Sequence, residues 1–252
     1  MPEIAEVEIS RRQCLHLIGQ KLEEVVIFDQ KIDDNFQPLI SSPLTDVLRC
    51  GKRLGLIFNN QAIIIHLRMT GRLALAANKA ERLKLVFGDN NYLSFIDPRR
   101  FGTVKLGDPS DLSAGLGPDL FNDWPFQLPL TSSRSIKAVI LDQQVVAGIG
   151  NYLADESLFR AQIHPQQEAS SLTPAEANKI LTEAHSLASQ TLERGGVSLR
   201  DYLSPSGQEG SGQGLLVCYG RASLPCLRCQ TPLIKIKVAG RGTTLCPNCQ
   251  SL

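Results

Sequence analysis

Pro225-Cys226-Leu-Arg-Cys229 and, after sixteen intervening residues, Cys246-Pro-Asn-Cys249 form the stretch that decides most about this chain. Two C-x2-C pairs at this separation match the spacing of a four-thiolate zinc site. Pro225 ahead of the first pair and Pro247-Asn248 inside the second favour tight knuckles. Between the pairs, Leu233-Ile-Lys-Ile-Lys-Val238 alternates apolar and basic residues as a strand does, and Gly240-Arg-Gly242 supplies a hairpin turn. Two disulfides or a redox pair are the competing readings. A start without a basic leader disfavours the first, and two pairs exceed what a redox site needs. The expectation is a zinc ribbon holding one structural zinc ion through Cys226, Cys229, Cys246 and Cys249. So short a segment cannot bury enough surface alone, so the metal would supply its folding energy. Four thiolates leave no open position for catalysis at the ion.

Working outward, the 252 residues of the chain suit one large domain or two small ones, and 42% are apolar, enough to bury a core. No apolar run reaches the roughly 18 residues of a membrane span, and the start, with two acids and no basic stretch, does not read as a secretory leader. A cytoplasmic location follows as an expectation, nucleoid-associated in a bacterium. The net charge of +1 conceals an uneven distribution. From Arg49 to Lys105 eleven bases face three acids, and from Leu216 onward five bases face none, so the remainder is strongly acidic. Two basic blocks on an acidic background suit a polyanion-binding face, although charge runs also serve as solvated surface.

Residues 3–19 carry apolar positions at helical spacing and end at Gly19. Short strands follow at 23–28, 54–58, 62–66, 83–87 and 92–96, separated by turn residues, which predicts an antiparallel sandwich or barrel. Residues 107–133, rich in Pro and Gly, read as a linker. Helices are expected at 135–143 and 152–161, and Thr173-Pro-Ala-Glu176 is a capping box opening a long helix that stops near Gly195-Gly196. The predicted fold is a two-domain α+β protein. It comprises an N-terminal helix and antiparallel β-sandwich (1–118), a linker (119–132), a helical domain (133–215) and the zinc ribbon (216–252). A cleft between domains is a usual place for a site.

Three places carry chemistry. Removal of Met1 would leave Pro2 with a secondary amine able to attack an aldehyde-like carbon and form an iminium. Glu3 and Glu6 beside it could move protons, though glutamates in a first turn also serve the helix dipole. Gly148-Ile-Gly150-Asn151 reads equally as a phosphate cradle or as a plain helix cap. His66-Leu-Arg-Met-Thr-Gly71 and Asp97-Pro-Arg-Arg-Phe-Gly102 follow strands and mix apolar wedges with cations, as proteins that extrude a nucleotide do. A lone Met or Phe is more often core, and Asp97 has Arg100 as a simple ion-pair candidate.

Taken together these segments resemble the formamidopyrimidine-DNA glycosylase and endonuclease VIII family of base-excision repair enzymes. The match spans nearly the whole chain: Met1–Glu8, Gly51-Lys52-Arg53, the Met69 turn, Asp97–Gly102, Gly148–Glu156 and the four-cysteine tail, in that order, and it implies that the 133–215 segment is the family's helix–two-turn–helix domain. The resemblance implies a bifunctional glycosylase and abasic-site lyase acting on damaged double-stranded DNA as a monomer, away from membranes. It implies Pro2 as nucleophile at C1′, Glu3 in acid/base catalysis, Glu6 holding and protonating the site, and Lys52 at the sugar–phosphate. Met69, Arg99 and Phe101 would fill the gap left by the extruded nucleotide. His66, Lys137, Asn151 and Arg241 would contact phosphates. The Met69, Arg99 and Phe101 set favours the formamidopyrimidine branch. A non-catalytic reader of damaged DNA is the alternative. Two departures stand out: Ala5 replaces a frequent proline, and the loop Ser204–Gly214 lacks the aromatic residues that usually cover a flipped base, with Ser211 and Gly212 in their place.

Overall fold

The structure is a computed structural model describing residues 2–32, 35–76, 79–88, 91–199 and 202–252. It divides into two compact units, one of residues 1–114 with 191–213, the other of 115–190 with 214–252. This differs from the four segments read from the sequence. The ribbon belongs with the helices, and the chain after the long helix returns to the first unit.

In the first unit, α1 spans Ile4–Cys14, with Glu3 as its N-cap and Arg11 and Arg12 in the last turn, where cations suit the helix dipole. A short 3-10 turn extends it to Leu17 before Gly19, at φ 88°, ends the run. Strands β1 (Leu22–Ile27), β6 (Glu81–Phe87), β7 (Tyr92–Ile96) and β5 (Arg72–Ala74) form one antiparallel sheet in the order β1-β6-β7-β5. Strands β2 (Asp46–Cys50), β3 (Arg53–Phe58), β4 (Gln61–His66) and β8 (Thr103–Gly107) form the second, in the order β2-β3-β4-β8. Inward residues of both sheets, among them Leu54, Leu56, Phe58, Ile63, Leu83, Leu85, Phe87 and Phe95, share one core with Val7, Cys14 and Leu17. Burying each such side chain is worth about 1.5–3 kcal/mol, so the alternation of apolar residues fixes the registers. β2 and β3 pair Cys50 with Arg53 across a two-residue turn. Gly51 takes φ 55° there, a conformation that favours glycine at the first position of a tight hairpin, and Lys52 occupies the tip.

In the second unit, residues 115–133 are not a free tether. Leu120 and Leu128 are buried, Ala147 donates its N–H to Pro118, and the Trp124 ring stacks on His185 at 4.8 Å. α2 (Ile136–Leu141) is capped by Ser135, whose side chain accepts from the Ala138 N–H. α3 (Asn151–Ala161) and α4 (Pro174–Glu193) follow. The capping box is present, with the Thr173 N–H donating to Glu176 at 2.8 Å and the Glu176 N–H donating back to the Thr173 hydroxyl at 3.3 Å. β9 (Ile234–Val238) and β10 (Arg241–Leu245) pair as a hairpin. Its turn is Ala239-Gly240, both at positive φ, so Arg241 is the first strand residue after the turn. Among the described residues, no helix is long and apolar enough to cross a membrane.

Candidate functional site

The start of α1 concentrates buried polarity. Pro2, Glu3, Glu6 and Glu8 are all buried. The Glu6 carboxylate accepts the Glu3 N–H at 2.7 Å on one oxygen and the Val197 N–H at 2.8 Å on the other. Burial pushes its pKa above the ordinary carboxylate range, although both N–H groups pull it down. Glu8 plays a different part: it pairs with Arg11, Arg12 and the buried Arg49, and so ties α1 to β2.

Lys52 sits half-buried at the tip of the β2–β3 hairpin, and His66 ends β4 in register with Arg53. The Arg68 N–H donates to Nδ1 of His66 at 3.1 Å, which places the ring proton on Nε2. Burial first, and then the charges of Arg68, Lys52 and Arg53, push the His66 pKa down to about 3. His66 is therefore a neutral donor at physiological pH.

The two turns expected to carry wedges are held by one carboxylate. Asp97, 1% exposed, accepts from the Thr70 hydroxyl of the first turn and from the Arg99 and Gly102 N–H groups of the second. Its charge partner is the buried Arg82, which also binds Asp29 and the Gly102 carbonyl. Arg100 lies 3.8 Å from Asp29 instead, so the expected Asp97–Arg100 pair does not form. Met69 and Phe101 are 47% and 49% exposed, and the Arg99 guanidinium lies 4.7 Å from the Phe101 ring centre. Large apolar side chains held that far out on rigid turns suit a role outside the core.

In the second unit two of the residues expected at phosphates have partners within the chain. Lys137 is fully buried: its ammonium donates to Asp155, to the Thr243 hydroxyl at 2.7 Å and to the Gly242 carbonyl at 3.4 Å. Through these contacts Lys137 pins the β9–β10 hairpin to α2 and α3. Asn151 is the first helical residue rather than the cap, which is Gly150. Its amide donates to the Gly242 carbonyl at 3.0 Å and keeps a second N–H to offer. The Gly148 N–H is taken by the Gln143 side chain at 3.0 Å, which removes one donor from the supposed phosphate cradle. Arg241 is exposed on the hairpin beside this pin. Asp97, Arg82, Asp155 and Val197 were not singled out from the sequence as holding the site. Asp97 was read only as an ion-pair candidate for Arg100, and a charge at an inward strand position is the signal that could have found Arg82.

The four cysteine sulfurs lie within 4.8 Å of one another, with Cys226–Cys249 at 3.9 Å and Cys229–Cys246 at 3.4 Å, and none is in a disulfide. Zinc–sulfur bonds of about 2.3 Å in a tetrahedron require sulfur separations near 3.8 Å, so the set fits one zinc ion. The Arg228 and Cys249 N–H groups point at Cys226 and Cys246, the inward donors of thiolate knuckles.

Comparison with known proteins now bears on this geometry. Residues 1–104 match the Formamidopyrimidine-DNA glycosylase N-terminal domain, 121–202 the Formamidopyrimidine-DNA glycosylase H2TH domain, and 223–252 the zinc finger found in FPG and IleRS. The chain belongs to the formamidopyrimidine-DNA glycosylase family. A formamidopyrimidine-DNA glycosylase of Bacillus cereus is 38% identical over 278 aligned positions, covering 99% of each chain. The crystal structure of MutM (Fpg) from Thermus thermophilus superposes with a TM-score of 0.90 at 36% identity, covering 99% of this chain and 98% of that one. A mutant Fpg of Lactococcus lactis in complex with Fapy-dG-containing DNA superposes with a TM-score of 0.89 at 31% identity over the whole of both chains. As the tail predicts, this family carries a zinc finger of its own, and the four clustered cysteines are the residues that would hold its structural zinc.

Proposed function

We propose that this protein is a bifunctional DNA glycosylase and abasic-site lyase that excises formamidopyrimidine-type and related oxidised bases from duplex DNA. The observation that carries the reading is the first turn of α1, where Pro2 directly precedes two buried glutamates and the Glu6 pKa is raised. Relatives named for formamidopyrimidine-DNA glycosylase, and Lactococcus structures holding Fapy-dG or abasic-site DNA, support the substrate class.

With Met1 removed, the Pro2 nitrogen attacks C1′ of the damaged nucleotide, and the bond to the base breaks. The departing base takes a proton from Glu3 or Glu6; a carboxyl whose pKa is raised keeps its proton nearer neutral pH and suits that task. The nitrogen–C1′ bond becomes an iminium as the sugar ring opens. The iminium acidifies the C2′ hydrogen, and loss of that proton expels the 3′ phosphate, then the 5′ phosphate. Lys52 holds the sugar–phosphate. Neutral His66, Asn151 and cationic Arg241 hold neighbouring phosphates, while Met69, Arg99 and Phe101 occupy the vacated stack. Zinc supports the hairpin and breaks no bond. The protein works as a monomer on the nucleoid. The glycine-rich 204–214 loop offers little apolar cover for 8-oxoguanine, which favours the more polar lesions.

Single-lesion duplexes containing formamidopyrimidine, 8-oxoguanine, an oxidised pyrimidine or an abasic site provide the test. Mass spectrometry first establishes that Met1 is gone. Wild-type protein is expected to nick and to form a borohydride-stable adduct, and Pro2→Gly to lose most of both. Tight lesion binding by the processed protein with neither nick nor adduct would instead establish a non-catalytic reader.

A further inference from the structure

The Val197 N–H that holds Glu6 belongs to the turn closing α4, and that turn is packed against the 204–213 loop through glycines. Gly196 stands at φ 90°, and a Cβ there would lie 3.2 Å from the Glu6 side chain and 2.9 Å from Tyr202. From the other side Gly210 approaches so closely that its Cβ would lie 2.2 Å from the Gly196 carbonyl oxygen and 2.4 Å from that of Gly195. Backbone hydrogen bonds fasten the two segments: Ser211 N–H to Arg194 at 2.8 Å and Gly212 N–H to Gly196 at 2.9 Å. Ser198 completes the joint, its hydroxyl accepting the Gly210 N–H at 3.0 Å and donating to the Tyr202 carbonyl at 2.9 Å. The Tyr202 hydroxyl in turn donates to the Glu6 carbonyl at 3.3 Å. The loop therefore backs the peptide that holds the carboxylate, and no side chain larger than hydrogen fits at the contact.

We infer that Gly210 is a positioning residue for Glu6: the loop sets the Val197 N–H against the carboxylate. The inference rests on the catalytic reading given to Glu6 above. A methyl group at residue 210 must displace either the loop or the 195–197 turn, because it meets backbone atoms that cannot rotate away. Displacing the turn weakens the Val197 N–H bond, one of the contacts that lowers the Glu6 pKa, so the Glu6-dependent limb of the pH profile moves up.

Gly210→Ala and Gly207→Ala make the test. Gly207 lies in the same loop at φ 82°, but a Cβ there meets nothing within 4 Å, so its replacement strains the loop without touching the turn. Single-turnover nicking is measured across pH, together with hydrogen exchange of the Val197 amide. Gly210→Ala is expected to lose on the order of tenfold in rate, part of the roughly 10²–10⁴ that a positioned acid supplies. Its Glu6-dependent limb should move to higher pH and its Val197 amide exchange faster; Gly207→Ala should keep the wild-type limb and exchange. If Gly210→Ala fails to fold, Ser198→Ala, which removes the 3.0 Å and 2.9 Å bonds, is expected to give the same shifts in weaker form. The inference is overturned if wild type nicks and Gly210→Ala keeps the wild-type limb and Val197 exchange, altering only KM. Absence of nicking by wild type would instead overturn the proposed function, and the exchange measurement still reads the joint.

Discussion

Replacing Lys137 with methionine separates the sequence reading of that residue from the structural one. If Lys137 faced a phosphate, Lys137→Met would leave stability almost unchanged. It would weaken DNA binding and lower the slope of log affinity against log salt by about 0.9, the contribution of one phosphate contact. In the structure Lys137 and Asp155 are 0% and 1% exposed, and removal of the ammonium leaves Asp155 with the Thr244 N–H at 2.9 Å as its remaining donor of this group. Breaking one side of a buried ion pair costs about 3–5 kcal/mol. Methionine recovers some apolar packing, so the lower end, about 3 kcal/mol, is expected, or roughly 6–12 °C in Tm for a protein of this size. The cost depends on pH. Burial already raises the Asp155 pKa to about 6 against the pull of Lys137. Without that pull the folded pKa rises further above the unfolded value, so more stability is lost as pH rises through it, and the deficit is larger at pH 8 than near pH 5. Urea unfolding at several pH values measures this, and Lys137→Met combined with Asp155→Asn should regain part of the loss. A deficit below about 1 kcal/mol, or one independent of pH, would refute the reasoning. A reduced salt slope with unchanged stability would restore the phosphate contact.

Chelation of zinc is expected to unfold the 216–252 ribbon and abolish DNA binding, seen as loss of β-structure by circular dichroism and regained on adding zinc, because the metal supplies that segment's folding energy. Arg241→Ala should lower the salt slope of DNA affinity by about 0.9 with Tm unchanged, whereas His66→Gln should weaken binding at constant slope, since a neutral ring releases no counterion. Met69→Ala and Phe101→Ala should change stability by less than about 0.5 kcal/mol because both side chains are half-exposed, yet reduce lesion binding in fluorescence titrations. His66 stays neutral in the folded chain to about pH 3 while the unfolded chain binds its proton from about 6.5, so acidification through that interval costs stability. The ceiling is about 1.4 kcal/mol per pH unit, less for a half-buried ring, and His66→Gln should flatten that part of the Tm–pH curve. At lower pH, burial disfavours the Asp29 carboxylate, but the Lys31 N–H and Arg82 outweigh it and hold its pKa below the usual range, so its contribution disappears only as pH falls through that depressed value.

Local pattern carried much of the fold. β3, β4, β6 and β7 were legible because their apolar residues recur in long enough runs, and the capping box at Thr173 because both partners are three residues apart. β2 and β5 were not: Asp46–Cys50 carries charges at both faces, and Arg72–Ala74 is only three residues long. β8 does alternate, with Thr103 exposed, Val104 buried and Lys105 exposed, but it is squeezed between the Asp97–Gly102 turn and a Pro/Gly-rich stretch. The candidate residues of the site were found by motif, yet their supports were not. Lys137 reads as a surface cation because its partners lie 18 and 106 residues away, and no local signal announces a pairing over such distances. The Gly210 contact is harder still, because its information lies in the absence of a side chain.

A common device underlies these supports. Glu6 joins α1 to the turn at Val197, Asp97 joins the Met69 turn to the Phe101 turn, Asp155 joins α3 to β10, and Glu156 accepts the Cys218 and Tyr219 N–H groups at 2.7 Å each as the chain enters the ribbon. All four carboxylates are buried at 1% exposure or less. Burying an ionised carboxylate is expensive unless several donors meet it, so Glu6, Asp97 and Asp155 each fix two segments in the arrangement that satisfies their oxygens, while Glu156 gathers both N–H groups on one oxygen. An apolar contact of the same size would stabilise the fold at least as well but would tolerate sliding. Loops that must hold a distorted duplex gain from the sharper restraint. The candidate DNA-facing groups Met69, Phe101, Asn151 and Arg241 each stand on a segment fastened in this way.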